Sequence, residues 1–341
     1  MIPRTRAMRC MACCLGLMHS LAALALDRTQ LAIIVNTQDP LSVQIGEYYA
    51  QQRQILFQNY IKVSFAPGLT AMTRQEFERI KAEVDKKTLP YIQAYAITWA
   101  APYRVECMSI TTAFAFGFDP AFCADGCHPT RTSPYFDSTT RLPYQQFKMR
   151  PTMAIAAMSF NYAKALIDRG VEADGLRPAG TAYLLSTADS ARNVRKILYP
   201  LMARVLKGRV RTVRLAQDAL SNESDVLFYF TGRDRVEGLE TLRFVPGAIA
   251  DHLTSAGGML TDSGQMSALR WLEAGATGSY GAVVEPCNLL QKFPHPAVVA
   301  GHYLQGETLI ESYWKSVLMP GQGIFVGDPL AAPFGRSDHP L

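Results

Sequence analysis

The sequence predicts an α/β protein, with mainly parallel sheets flanked by helices and laid out as two subdomains. Three observations carry this expectation. Short apolar runs alternate with amphipathic helical segments from residue 31 to 100, and again from 181 to 326. A turn-rich stretch, VEADGLRPAG at 171–180, separates the two series. The composition, 48% hydrophobic and 18% charged over 341 residues, suits a chain with a large core and excludes collagen-like, coiled-coil and disordered classes.

In the first series, LAIIVN (31–36) reads as a buried strand. Asp39-Pro40 then opens a helical segment through Tyr49, and YIKVSF (60–65) is the second strand. Thr73-Arg74-Gln75-Glu76 has the form of a capping box, and the helix it opens carries Phe77, Ile80 and Val84 on one face. YIQAYAITWA (91–100) is the third strand. The resulting β-α-β-α-β order predicts parallel pairing with right-handed crossovers. From Ala101 to Arg150 periodicity fails, which predicts a long functional or inserted loop stiffened by cysteines. Thr152–Arg169 reads as a helix stopped by Gly170.

The second series opens with the strand TAYLLS (181–186). The helix after it has Val194, Ile197, Leu198, Leu201, Met202 and Val205 on one stripe, and Pro200 implies a kink or a restart. RVRTVRL (209–215) alternates as an edge strand does, and DVLFYFT (225–231) is apolar enough to be central. Further expectations are a helix near Pro246–Ser255, the strand GMLT (258–261), a helix over Gln265–Ala274 and the strand SYGAVV (279–284). A helix near Glu307–Val317 and the strand GIFV (323–326) complete the series. The expected subdomains span 26–170 and 178–335, with a polar tail at 336–341.

Residues 1–25 have the parts of a secretory signal: Arg4, Arg6 and Arg9, then an apolar stretch from Met11 to Leu24, then Ala23-Leu24-Ala25 as a small-x-small cleavage site. Export to the periplasm or the exterior is therefore expected, and no later stretch has the length and apolarity of a membrane span. The leader holds 3 of the 34 basic residues and none of the 29 acidic ones, so the net charge of +5 falls to about +2 without it. That balance argues against nucleic acid as a partner.

Four cysteines follow the leader: Cys107, Cys123, Cys127 and Cys287. In an oxidising compartment an even number favours disulfides. Three connectivities are possible; in one, Cys123 with Cys127 closes a tight loop and leaves Cys107 with Cys287. The rival reading is a zinc site of Cys107, Cys123, Cys127 and His128.

Open α/β sheets collect ligands at the carboxyl ends of parallel strands. The expected strand ends carry Arg233 after DVLFYFT, Asp262 and Ser263 after GMLT, Glu285 after SYGAVV and Asp328 after GIFV. Asp262, Ser263, Arg233 and Glu285, with His252, form the candidate site, although Asp262 and Ser263 can equally cap the next helix, and Glu285 and Asp328 can simply bond local backbone amides. HExxH, GxSxG, Walker and GxGxxG patterns do not occur, and neither a cofactor nor a metal is expected.

GIFVGDP, FTG after an apolar strand and EAGATGSYGAVVEPC together resemble the catalytic domain of gingipain-like cysteine peptidases, which have a caspase-like fold. That resemblance implies a His after one strand and a Cys after the next. Arg233 takes the first position here, and Thr261, Asp262 or Ser263 the second, so the thiolate–imidazole pair is lost. Longer segments, among them GAIADHLTSAGGMLTDSGQMSALRWLEAGATGSYGAVVEPC and GQGIFVGDPLA, are similar to a family of exported bacterial proteins found in exosortase-carrying species. Two functions are then expected: a non-catalytic or altered-site module that binds a peptide or an exported protein, or a peptidase-like hydrolase built on Asp262 and Ser263. In either, Asp262 is expected to pair with Arg233 across neighbouring strand ends.

Overall fold

A computed structural model describes residues 25–124, 126–261 and 264–335. The expected leader (Ala25 apart), the tail 336–341, and Asp262 and Ser263 lie outside the described residues.

Before the junction the chain forms β1 (Leu31–Asn36), α1 (Pro40–Gln52), β2 (Tyr60–Val63), β3 (Ala71–Met72), α2 (Arg74–Lys87) and β4 (Ala94–Ile97). It continues through β5 (Arg104–Val105), β6 (Met108–Ser109), α3 (Ile110–Phe116), α4 (Pro143–Phe147), β7 (Thr152–Ala154) and α5 (Phe160–Ala173). After the junction come β8 (Thr181–Leu185), α6 (Tyr199–Leu206), β9 (Arg211–Leu215), β10 (Val226–Thr231) and β11 (Phe244–His252). The last elements are α7 (Leu269–Ala274), β12 (Gly278–Ala282), α8 (Pro296–Leu304), α9 (Leu309–Trp314) and β13 (Gly323–Gly327).

Among the described residues, ten strands form one sheet in the order β2-β1-β4-β7-β13-β12-β11-β10-β8-β9. Strands β2 to β13 in that order are mutually parallel, and so are β12 to β9. The two blocks meet at the β12–β13 pair, which is antiparallel. They therefore run in opposite senses, and the α/β class with mainly parallel pairing flanked by helices holds. Helices α1, α5 and α7 pack along one face. On the other, α9 follows α3 through the Phe116–Trp314 contact and leads on through α8 to α6.

Local signals act as expected where they are chemical. Asp39 accepts from the Leu41 N–H with Pro40 at the start of α1, and Thr73 accepts from the Glu76 N–H at the start of α2. Phe77, Ile80 and Val84 are fully buried. Pro200 sits in the first turn of α6, so the preceding 3₁₀ turn Asn193–Leu198 ends and a new helix starts. The expected stripe is incomplete, for Ile197 and Leu201 are exposed. β9 is an edge strand and β10 an interior one.

Four expectations are corrected. Pro246–Ser255 is not a helix but most of β11, with Ala248, Ile249 and Ala250 buried. A strand covered on both faces has no alternation to read, and its alanines favour the helical reading. GMLT is not a strand, because the Gly257-Gly258 turn lies directly on β12. A Cβ at Gly258 would meet the Gly281 carbonyl oxygen at 2.5 Å, and the Gly258 N–H donates to the Ala282 carbonyl at 2.8 Å. Thr152–Ala154 is strand β7, and the helix begins only where Ser159 caps Tyr162. Gly170 lies inside α5 rather than stopping it, since a Cβ there would fall 2.1 Å from Asp328 Oδ2. The 101–150 segment is also more regular than expected: α3 is buried within it and packs on β7 and β13.

Candidate functional site

Opposed strand directions decide which residues share an edge. The block from β2 to β13 ends at Asn36, Val63, Ile97, Ala154 and Gly327. The other block ends on the opposite edge, at Leu185, Leu215, Thr231, His252 and Ala282. Asp328 is thereby separated from Arg233, His252 and Glu285. Its carboxylate is fully buried, accepting from Arg53 Nε at 3.1 Å and Nη2 at 2.5 Å, from Tyr49 Oη at 2.8 Å and from the Leu330 N–H at 3.1 Å. Arg53 Nη1 reaches Asp174, whose other oxygen accepts from the Ala332 N–H at 2.9 Å. This network ties α1 and the end of α5 to the segment after β13 and leaves Asp328 no free lone pair aimed at solvent.

On the other edge, β10 and β11 are adjacent and parallel, with Thr231 opposite His252. The strand following β10 is therefore β11. Leu253, Thr254 and Ser255 follow its end, while the expected Asp262 and Ser263 lie outside the described residues.

His252, at the end of β11, is buried and locked. Trp271 Nε1 donates to its Nδ1 at 2.9 Å, so Nε2 carries the proton and donates to the Met266 carbonyl at 3.0 Å. Burial lowers its pKa to about 4. The ring is a neutral, doubly bonded strut with no lone pair free to take a proton. Asp251, one residue earlier, faces the other side of the sheet and pairs with Arg195; both side chains are 1% exposed. Arg195 also donates to the Thr231 carbonyl at 3.0 Å and lies 5.0 Å above the Phe230 ring.

Thr254 is the hydroxyl nearest in sequence to the end of β11. It donates to Gln265 Oε1 at 2.6 Å and accepts from Arg192 Nε at 3.1 Å. Arg192 in turn holds Asp189 at 2.8 Å. Arg233, after β10, pairs with Asp218 at 2.6 Å at the surface. The expected Arg233–Asp262 pairing involves a residue outside the described set, while Asp218, which sequence reading did not single out, is an ion-pair partner of Arg233. Glu285 is exposed and accepts from the Cys287 N–H at 2.7 Å, a turn-closing bond.

Disulfides join Cys107 to Cys123 and Cys127 to Cys287. Of the three connectivities open to the four cysteines, the one with a tight Cys123–Cys127 loop is not formed. The 3₁₀ turn Pro120–Phe122 delivers Cys123 to the β5–β6 turn, and Cys127 reaches across to the segment after β12. With all four sulfurs bonded, the zinc alternative loses its thiolate ligands.

The second disulfide forms part of an open groove of about 560 Å³ lined by Cys127, Cys287, Arg192, Ser255, Glu285 and Asn288, with Ala191 and Leu289. It lies at the carboxyl edge of the β12–β9 block, where open α/β sheets take their ligands. Arg192 and Glu285 give it one charge of each sign. Among the described residues, the groove brings Glu285 of the expected catalytic set together with the expected cysteines Cys127 and Cys287. Arg192 and Ser255 were missed because their loops carry no motif and meet only through the β8–β10–β11 adjacency.

Similarity to known proteins speaks to the fold. No protein-family model matches the chain, and no curated protein matches it. Among solved structures, one described as a protease aligns with TM-score 0.51 at 8% identity, over 91% of this chain and 80% of that one. A complex of Porphyromonas gingivalis RgpB pro- and mature domains aligns with TM-score 0.42 at 11% identity, over 89% and 79%. The first likeness shows a shared α/β fold across nearly all of the chain.

Proposed function

We propose that this is an exported, caspase-like protein that has kept the architecture of a peptidase and uses an altered site to bind peptide segments of other exported proteins, in connection with protein sorting or the cell envelope. The observation that carries the reading is the end of β11. Its imidazole has both nitrogens engaged, and the Thr254 hydroxyl is bonded to an amide oxygen and a guanidinium rather than to a base. Nucleophilic catalysis needs a hydroxyl or thiolate within reach of a group that can accept its proton, and His252 and Thr254 do not form such a pair. The groove remains, with Arg192 suited to a peptide carboxylate and Glu285 to a basic side chain.

Two disulfides support an oxidising compartment, and no helix among the described residues is long and apolar enough to cross a membrane. The test is a peptide array probed with the purified protein, run beside labelling with serine- and cysteine-directed activity probes. Retention of peptides bearing an acidic and a basic residue, lost in Arg192→Ala, together with no labelling, is expected. Covalent labelling at Ser263 would overturn the binding role and establish the hydrolase.

A further inference from the structure

A buried carboxylate lacking a counter-charge lies where the chain leaves its expected leader. Glu311, in α9, is fully buried. Its Oε2 accepts from the Thr308 N–H at 3.0 Å, the Thr308 hydroxyl at 2.7 Å and the Leu26 N–H at 3.1 Å. Its Oε1 is buried and has no hydrogen-bond partner among the described residues. The buried cation of this region is committed elsewhere: Lys315 Nζ lies 2.8 Å from both oxygens of Glu307. Glu307 also draws His302 Nδ1 to 3.2 Å and Arg141 to 3.9 Å. Burial, with Glu307 adding to it, pushes the Glu311 carboxyl up. A carboxylate so placed is costly to keep charged unless a cation joins it.

The backbone nitrogen that reaches Glu311 is that of Leu26. Leu26 is 3% exposed and belongs to the main core, whereas Ala25 is partly exposed. The small-x-small signal Ala23-Leu24-Ala25 places cleavage immediately before Leu26.

We propose that hydrolysis of the Ala25–Leu26 bond creates the missing charge: the Leu26 α-ammonium docks on Glu311 as a buried ion pair that only the processed chain can form. A leader-removing peptidase would supply the catalysis. Water breaks the amide, Ala25 leaves as a carboxylate with the leader, and the Leu26 nitrogen takes up protons to become an ammonium. An amide offers one N–H, an ammonium three, so Oε2 keeps its bond and Oε1 gains one. This rests on the export reading but not on peptide binding, and the two parts of the test separate cleavage from docking.

The exported protein is first purified and its N-terminus determined by intact mass and sequencing; Leu26 is expected, and any other first residue overturns the proposal. Chains starting at Leu26 or retaining Ala25 are then melted in both the Glu311 and the Glu311→Gln background. Retaining Ala25 should lower Tm by roughly 4 °C with Glu311 and by under about 1 °C with Gln. Equal losses in both backgrounds overturn the ion pair. Should Glu311→Gln not fold, the Leu26 amine of the processed protein is challenged with an acylating reagent at neutral pH. It should react at least about tenfold more slowly than in the urea-unfolded chain, consistent with a buried, ion-paired amine; equal rates overturn docking.

Discussion

Trp271 donates its indole N–H to Nδ1 of His252 at 2.9 Å, which fixes that nitrogen as an acceptor. An imidazole so held cannot act as a base, and it opposes protonation. Its pKa of about 4 lies below the ordinary value of 6.5. Between those values the unfolded chain binds a proton that the native chain refuses. The contribution is therefore complete above pH 6.5, is lost as pH falls towards 4, and amounts to roughly 3 kcal/mol. Wild type and His252→Gln, unfolded in urea across that range, should converge in stability by about this amount at the acid end. NMR should find the Nε2–H tautomer down to about pH 4.

Asp328 and Arg53 form a buried pair at the opposite edge, with side chains 0% and 6% exposed. Asp328→Ala removes the carboxylate while the guanidinium stays buried. A loss of about 3–5 kcal/mol is expected in chemical denaturation. Activity and peptide binding are not expected to depend on this network beyond that loss, since it lies on the other edge of the sheet from the groove.

The disulfides should be unequal. Cys127–Cys287 spans 160 residues and Cys107–Cys123 spans 16. Chain-entropy reasoning gives about 5 kcal/mol for the longer loop and about 3 kcal/mol for the shorter. Paired Cys→Ser variants compared by denaturant midpoint should preserve that order. The longer pair alone should also weaken peptide binding, because it lines the groove. Non-reducing peptide mapping should find these two linkages and no free thiol among the four.

Gly232 packs its Cα against the Arg192 carbonyl, and an added Cβ would fall 2.0 Å from that oxygen. Gly232→Ala should therefore displace the segment bearing Ala191 and Arg192. A weaker fold by about 1–3 kcal/mol is expected, with peptide affinity falling by more than the fraction unfolded accounts for. A calorimetric titration beside a thermal melt separates the two.

Chemical signals close to one another in the chain were legible without coordinates. Asp39-Pro40 and the Thr73 cap act on atoms within four residues of themselves. β1, β2, β4, β8, β10, β12 and β13 are short apolar runs bounded by turn residues, and they stand where the sequence predicts. The even set of cysteines was equally readable as disulfides. What the sequence could not yield were relations between distant segments. β11 was hidden because a strand buried on both faces has no period of two, so the place of Thr254 and Ser255 at a strand end went unread.

Only the tertiary structure decided which strand ends share an edge, because the antiparallel β12–β13 pair reverses the sense of half the sheet and sends Asp328 to the far side from Glu285. It also decided the cysteine partners. A thiol bonds to the sulfur that folding brings within about 6 Å between Cα atoms, and folding brings Cys127 to Cys287 across 160 residues rather than to the cysteine four residues before it.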